Sequence, residues 1–330
     1  MPQNSVVNPP TPPNRRWGLK LVIAFIVLVV DGSFGRYLLT QYHYNQGTRA
    51  YKQGDCSTAI DHFKNITTGN RTDDLTARAR AKKAECEMFQ TATRQQPESA
   101  ALVAYTQFAT RYPASVLVRF TRGRTSDLFQ QVPLSNLAQP QVCNQIERMA
   151  AAQLIPEPKA APFFHACGQT YAANQNFANA IALYEQFLDR YPKHTLAATV
   201  KTELAQTYVA DAMAKGALHI PPPGRSGNTN DGSTVVRIQN DSREPMRIVF
   251  SGPTPRFEEL APCENCRDYI GSGPTSCPAK GPVGQYTLTP GEYAVVVKSG
   301  GDRSVKPFSG NWTLANGTEY SHCFFIVRRI

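Results

Sequence analysis

The sequence predicts a multidomain chain, α then β: a helical-repeat α-solenoid followed by a C-terminal antiparallel β-sandwich, both behind an N-terminal membrane anchor. Three observations carry this. The segment Tyr105-Thr-Gln-Phe-Ala-Thr-Arg-Tyr-Pro113 recurs downstream as Tyr184-Glu-Gln-Phe-Leu-Asp-Arg-Tyr-Pro192. Six of the nine positions are identical, and an alanine (Ala101, Ala180) stands four residues before each leading tyrosine. Self-similarity of this kind marks stacked supersecondary units. Beyond residue 233 the apolar period changes from helical to alternating, which is the strand signature. Near the start, Leu21–Val30 is an unbroken run of ten apolar residues.

The N-terminus divides into a Pro-rich, aperiodic tail (1–16) and an export segment (17–40). Ten apolar residues are too few to cross about 30 Å of hydrocarbon as a helix. The wider window Trp17–Leu39 is long enough but carries Asp31 and Arg36. Two readings are open. One is a cleaved signal peptide, with Arg15, Arg16 and Lys20 as its basic region and small residues at Gly32 and Ser33. The other is an uncleaved single-pass signal anchor, favoured by the helix-compatible Phe34, Tyr37, Leu38 and Leu39. In both, the basic cluster stays cytoplasmic and the bulk of the chain is placed outside the membrane; cleavage would make the protein secreted.

The net charge of +10 raises nucleic acid as a partner, and its distribution argues against one. Residues 217–330 hold 12 Lys/Arg against 10 Asp/Glu, and no run of five or six like charges occurs. An ordinary solvated basic surface accounts for this. Hydrophobic residues make up 41% of the chain and charged residues 18%. That is a globular composition, on a chain long enough for two folded domains.

Residues 41–216 form the helical region. In 44–65, Gly47 allows close helix approach, Gly54-Asp55 makes a turn, Ala59 is the small interhelical residue, and Ile60 and Phe63 fill the seam. The stretch 161–192 repeats the arrangement with Gly168, Tyr171, Phe177, Ala180, Tyr184, Phe187, Leu188 and Pro192; Leu204, Ala205 and Tyr208 follow on a further helix. A middle unit (76–113) keeps Ala101, Tyr105, Phe108 and Pro113 but lacks the glycine. Each helix presents one apolar stripe that only stacking can cover, and the Tyr-Pro endings stop the second helices. These spacings resemble the tetratricopeptide repeat (TPR), a helix–turn–helix of roughly 34 residues, and the Phe-x3-Tyr-Pro ending looks like that of bacterial cell-envelope members. The match covers about 44–210, with 120–160 poorly fitted. The resemblance implies a protein or peptide partner in the concave groove, with Lys52, Asn174 and Lys201 as partner-binding candidates.

Eight cysteines in an exported chain suggest disulfides. Cys56 and Cys143 lie near helix starts while Cys86 and Cys167 fall within the next helix along, so Cys56–Cys86 and Cys143–Cys167 are the expected pairs. The other four, Cys263, Cys266, Cys277 and Cys323, are expected to tie a Gly/Pro-rich loop to the sheet by two disulfides. Their alternative is a zinc site, with a C-x2-C at Cys263 and Cys266 but no short spacing between Cys277 and Cys323.

Residues 217–233 read as a Pro/Gly-rich linker. In 234–330, runs at 235–239, 246–250, 285–288, 292–298, 312–314 and 320–327 read as strands between turn signals. Trp312 and Tyr320 are ligand candidates if exposed, for a cell-wall glycan or small molecule. The six histidines have no carboxylate or nucleophile at motif spacing, and no phosphate-cradling glycine loop occurs. The expectation is a non-catalytic, membrane-anchored envelope scaffold without cofactor; the alternative is a ligand-binding sandwich with the repeats as spacer.

Overall fold

A computed structural model describes residues 35–68, 72–267, 269–301 and 305–328. The expected tail and the 21–30 apolar run lie outside them. Among the described residues, no helix is long and apolar enough to cross a membrane. The chain divides into two compact units, Met1–Thr125 and Ser126–Ile330.

In the first unit, α1 occupies 35–53, α2 Cys56–Thr67, α3 Asp74–Thr93 and α4 Glu98–Arg111; α5, Val118–Gln131, runs across the boundary. A Cβ on Gly47 would sit 2.8 Å from the Phe63 ring, closer than real Cβ atoms approach, so glycine is required where α1 meets α2. Gly54 takes φ +80° to turn the chain, and Asp55 caps α2 by accepting the Thr58 N–H at 3.1 Å. Ala59 and Phe63 are fully buried. The Tyr51 hydroxyl hydrogen-bonds to Glu85 and Ser115; burial, reinforced by the Glu85 bond, pushes its pKa up to about 12.

The second unit opens with short helices, α6 (Leu134–Leu137), α7 (Pro140–Cys143) and α8 (Ile146–Ala151), where the repeat spacing fits poorly. Regular helices follow: α9 (Glu157–Ala173), α10 (Phe177–Arg190) and α11 (Ala197–Ala214). The same close approach recurs, since a Cβ on Gly168 would fall 2.4 Å from the Tyr184 ring. Gln175 stands to Gly168 as Gly54 stands to Gly47, and adopts a comparable left-handed turn at φ +57° without being glycine. The two copies of the nine-residue segment end alike. Tyr112 and Tyr191 each donate a backbone N–H to the carbonyl of Phe108 and Phe187 respectively, and each ring lies 5.5 Å from that phenylalanine.

The strands are β1 (Leu218–His219), β2 (Gly224–Asn228), β3 (Thr234–Asn240), β4 (Met246–Ser251), β5 (Arg256–Leu260), β6 (Tyr269–Ile270), β7 (Val283–Leu288), β8 (Gly291–Ser299), β9 (Phe308–Leu314), β10 (Thr318–Phe324) and β11 (Val327–Arg328). They form sheets ordered β1-β9-β8-β4-β5, β2-β10-β3-β7 and β11-β6. Inward residues of the two larger sheets, among them Val236, Ile238, Tyr286, Ile248, Phe250, Val295 and Trp312, belong to one buried cluster. The sheets are mixed, not antiparallel throughout: β1–β9, β3–β10 and β6–β11 run parallel. The expected 217–233 linker is also corrected. It contributes β1 and β2, buries Ile220 in the core, and through the Pro221 carbonyl accepts the Trp312 indole N–H at 3.1 Å. Pairing to sheet edges lets Pro- and Gly-rich backbone serve as strand.

Gly168→Ala should cost about 1–3 kcal/mol through overpacking against Tyr184. Gly123→Ala, in α5 with nothing within 4 Å of the added methyl, should gain about 0.5–1 kcal/mol. Urea denaturation of the purified variants measures both, and opposite signs are the expected result.

Candidate functional site

Glu203 of α11 projects to α9, where its carboxylate is bonded to His165 Nε2 at 2.7 Å and accepts from Gln169 Nε2 at 2.9 Å. The Tyr184 hydroxyl of α10 bonds to the same carboxylate. Each side chain is there for a local reason. His165 and Gln169 are one turn apart on α9 and so share a face, while Gly168 between them lets the Tyr184 ring come in beneath. Burial acts to raise the Glu203 pKa, but the bonds from His165 and Gln169 outweigh it and hold it below the ordinary value. Burial pushes the Tyr184 hydroxyl well above the usual tyrosine range. The result is an ordered, part-exposed patch of donors and acceptors between successive helices, chemistry suited to engaging the polar groups of a peptide.

A second network joins the helices to the sheets. Arg247 of β4 donates to Glu185 of α10 at 2.8 Å, to the Tyr208 hydroxyl of α11, and to Glu259 of β5. Tyr208 in turn donates to Glu185 at 2.7 Å, and its ring lies 6.0 Å from Phe257. Such forked charge-assisted bonds set the angle between elements. With Glu185 and Glu259 substantially exposed, each pair contributes only about 1 kcal/mol.

All eight cysteines are paired: Cys56–Cys86, Cys143–Cys167, Cys263–Cys266 and Cys277–Cys323. The first two are the expected helix-to-helix staples. Among the strands an expectation is corrected, because Cys263–Cys266 closes within the loop and only Cys277–Cys323 ties loop to sheet. The alternative zinc set is thereby held as two disulfides, whose sulfurs are not the thiolates that zinc requires. Both bridges flank Asp241, a buried carboxylate that accepts the backbone N–H groups of Lys280 and Gly281 at 2.8 and 2.7 Å.

The ligand candidates are corrected too. Trp312 is fully buried and Tyr320 nearly so, both in the common core; the Tyr320 hydroxyl accepts the Ala315 N–H at 2.9 Å. Alternation along β9 and β10 turns both rings inward, so neither offers a stacking platform to a sugar. Lys52, Asn174 and Lys201 are all exposed. The Asn174 side chain bonds back to the Thr170 carbonyl at 2.7 Å at the end of α9, and the Lys52 backbone carbonyl accepts from Arg119. None of the three belongs to the Glu203 cluster. The histidine–carboxylate pair escapes a reading of the sequence because His165 and Glu203 are 38 residues apart and meet only when α9 and α11 stack.

A tetratricopeptide-repeat family model matches residues 168–194, from Gly168 through α10 to the turn beyond it. No curated protein matches the chain.

Because the folded Glu203 carboxyl is more acidic than an unfolded one, its contribution is complete above about pH 4.3 and is lost as pH falls through the lower folded value. Glu203→Gln should lower the melting temperature near neutral pH and flatten the loss of stability below about pH 4.3. Thermal melts taken from neutral pH down to well below that reference value test this; parallel profiles would remove Glu203 from the account.

The matched segment takes in Gly168, Gln169 and Tyr184 of the Glu203 cluster, so this part of the chain is similar to a tetratricopeptide repeat.

Proposed function

We propose that the protein is a non-catalytic scaffold of the cell envelope, anchored by its N-terminal segment, whose repeat helices hold a protein or peptide partner outside the cytoplasmic membrane. The observation that carries the binding reading is the ordered His165–Gln169–Glu203 patch on a matched tetratricopeptide repeat. Complete pairing of the cysteines supports an oxidising compartment. Exposed Tyr37, Leu38, Leu39 and Tyr42 at the start of α1 support a membrane-proximal first helix. The two larger sheets, sharing one core, are read as a β-sandwich that closes the end of the repeat array.

The test uses the full chain in its native membrane fraction, with a photo-crosslinking residue placed at Lys201 or Gln169 on the repeat and, separately, at Arg225 on β2. Partner adducts from the α9 and α11 positions, absent from the β2 position, are the expected outcome. Adducts from β2 alone would overturn the assignment of binding to the repeats.

A further inference from the structure

We propose that the cleft between α11 and the β8–β9 strands is a binding site for an anionic group, a carboxylate or phosphate. The cleft has a volume of about 750 Å³, within the roughly 300–1,000 Å³ typical of small-ligand sites. Tyr208 and Asp211 of α11, with its C-cap Lys215, form one wall; Val296 and Lys298 of β8 and Lys306, just before β9, form the other. None of these belongs to the Glu203 patch, so the site goes beyond the scaffold reading and stands or falls separately.

Among the described residues, the charges in the cleft do not balance. Asp211 is bonded to Lys215 at 2.7 Å, while Glu185 and Glu259 are engaged by Arg247. Among the described residues, Lys298 and Lys306 are left over. Lys298 is well covered, and its Nζ stands 4.6 Å over the centre of the Tyr208 ring, which fixes the ammonium at the cleft wall. Burial, and then repulsion from Arg247, draws the Lys298 pKa below the ordinary lysine range, more than Asp211 and Glu185 restore it. A covered cation beside a second cation is a standing electrostatic cost. An entering anion would remove that cost, with Lys306 as an exposed second donor and Val296 as an apolar wall for the carbon portion of a ligand.

The same chemistry is found in a free metabolite-sized anion and in an acidic segment of a partner protein. Isothermal titration of the full, disulfide-bonded chain at low ionic strength can separate them, with citrate and inorganic phosphate in one arm and a triglutamate peptide in the other. Saturable binding of at least one probe at one per chain is expected, weakened about tenfold by Lys298→Met and about threefold by Lys306→Gln. A response to citrate or phosphate alone supports the free anion, and a response to the peptide supports the acidic segment. Lys298→Met without ligand should melt at or above the native temperature. The proposal is overturned if no probe saturates, or if Lys306→Gln, a surface change that leaves the fold in place, and Lys298→Met both bind like the native chain. A marked fall in the Lys298→Met melting temperature would overturn it as well, by making this lysine structural.

Discussion

Helix α11 has to be covered on more than one side, and the second unit is organised around that requirement. Its buried residues (Ala197, Val200, Leu204, Ala205, Thr207, Tyr208, Asp211 and Ala212) are not confined to one narrow stripe. A helix whose buried residues span about half its circumference needs more cover than one neighbouring helix supplies. One side is met by α10, and β4, β8 and β9 pack against α11 as well. The strands therefore cover the part of α11 that α10 leaves open. Arg247 ties these strands to the helices by reaching Glu185, Tyr208 and Glu259 at once. Gross burial supplies the stability, and the charge network chooses the orientation.

That constraint also explains which regions of the fold are legible in the sequence. The repeat can be read because its determinants are local. Gly47 and Gly168 stand at the same spacing before the ring that each admits, and the Tyr-Pro endings follow their phenylalanines at fixed distance. Strands β3, β4, β7, β8 and β9 can be read because alternation is local too. The parallel β3–β10 pairing cannot, since it joins segments from opposite ends of the strand region. The 217–233 segment misleads by composition: prolines and glycines read as linker, yet a buried Ile220 and a carbonyl aimed at Trp312 make it a piece of the core. Trp312 and Tyr320 show the matching limit. Alternation says that successive residues face opposite ways, but it does not say which way is in.

The candidate site is less legible than the fold for the same reason. Lys52, Asn174 and Lys201 follow from repeat position alone, and position on one helix cannot report what the neighbouring helix offers. Glu203 is two residues from Lys201, and its environment is set by His165 and Gln169 across a helix–helix seam. Lys298 is similar. Within the run Val295-Val-Val-Lys298 it stands at the end of a strand; the pairing of β4 with β8 sets Arg247 directly opposite it, and the packing of α11 over β8 covers it. Side chains that gain their character from stacking are invisible until the stack is known.

The disulfides of the second unit follow a complementary logic, whereas Cys56–Cys86 in the first staples the regular helices α2 and α3. The pairs α9–α10 and α10–α11 hold through apolar seams, and no bridge links them. Cys143–Cys167 falls where the repeat pattern fails, fastening the short helices α6–α8 to α9, a region with little periodic surface to bury. The Cys263–Cys266 and Cys277–Cys323 bridges restrain the long loop between β5 and β7, whose described residues have only the two-residue β6 for regular structure. Asp241 adds a third restraint there by accepting from the N–H groups of 279–281. Cross-links work chiefly by limiting the unfolded chain, the more so the longer the loop they close. Covalent and ionic restraints thus take over wherever the apolar periodicity of the sequence gives out.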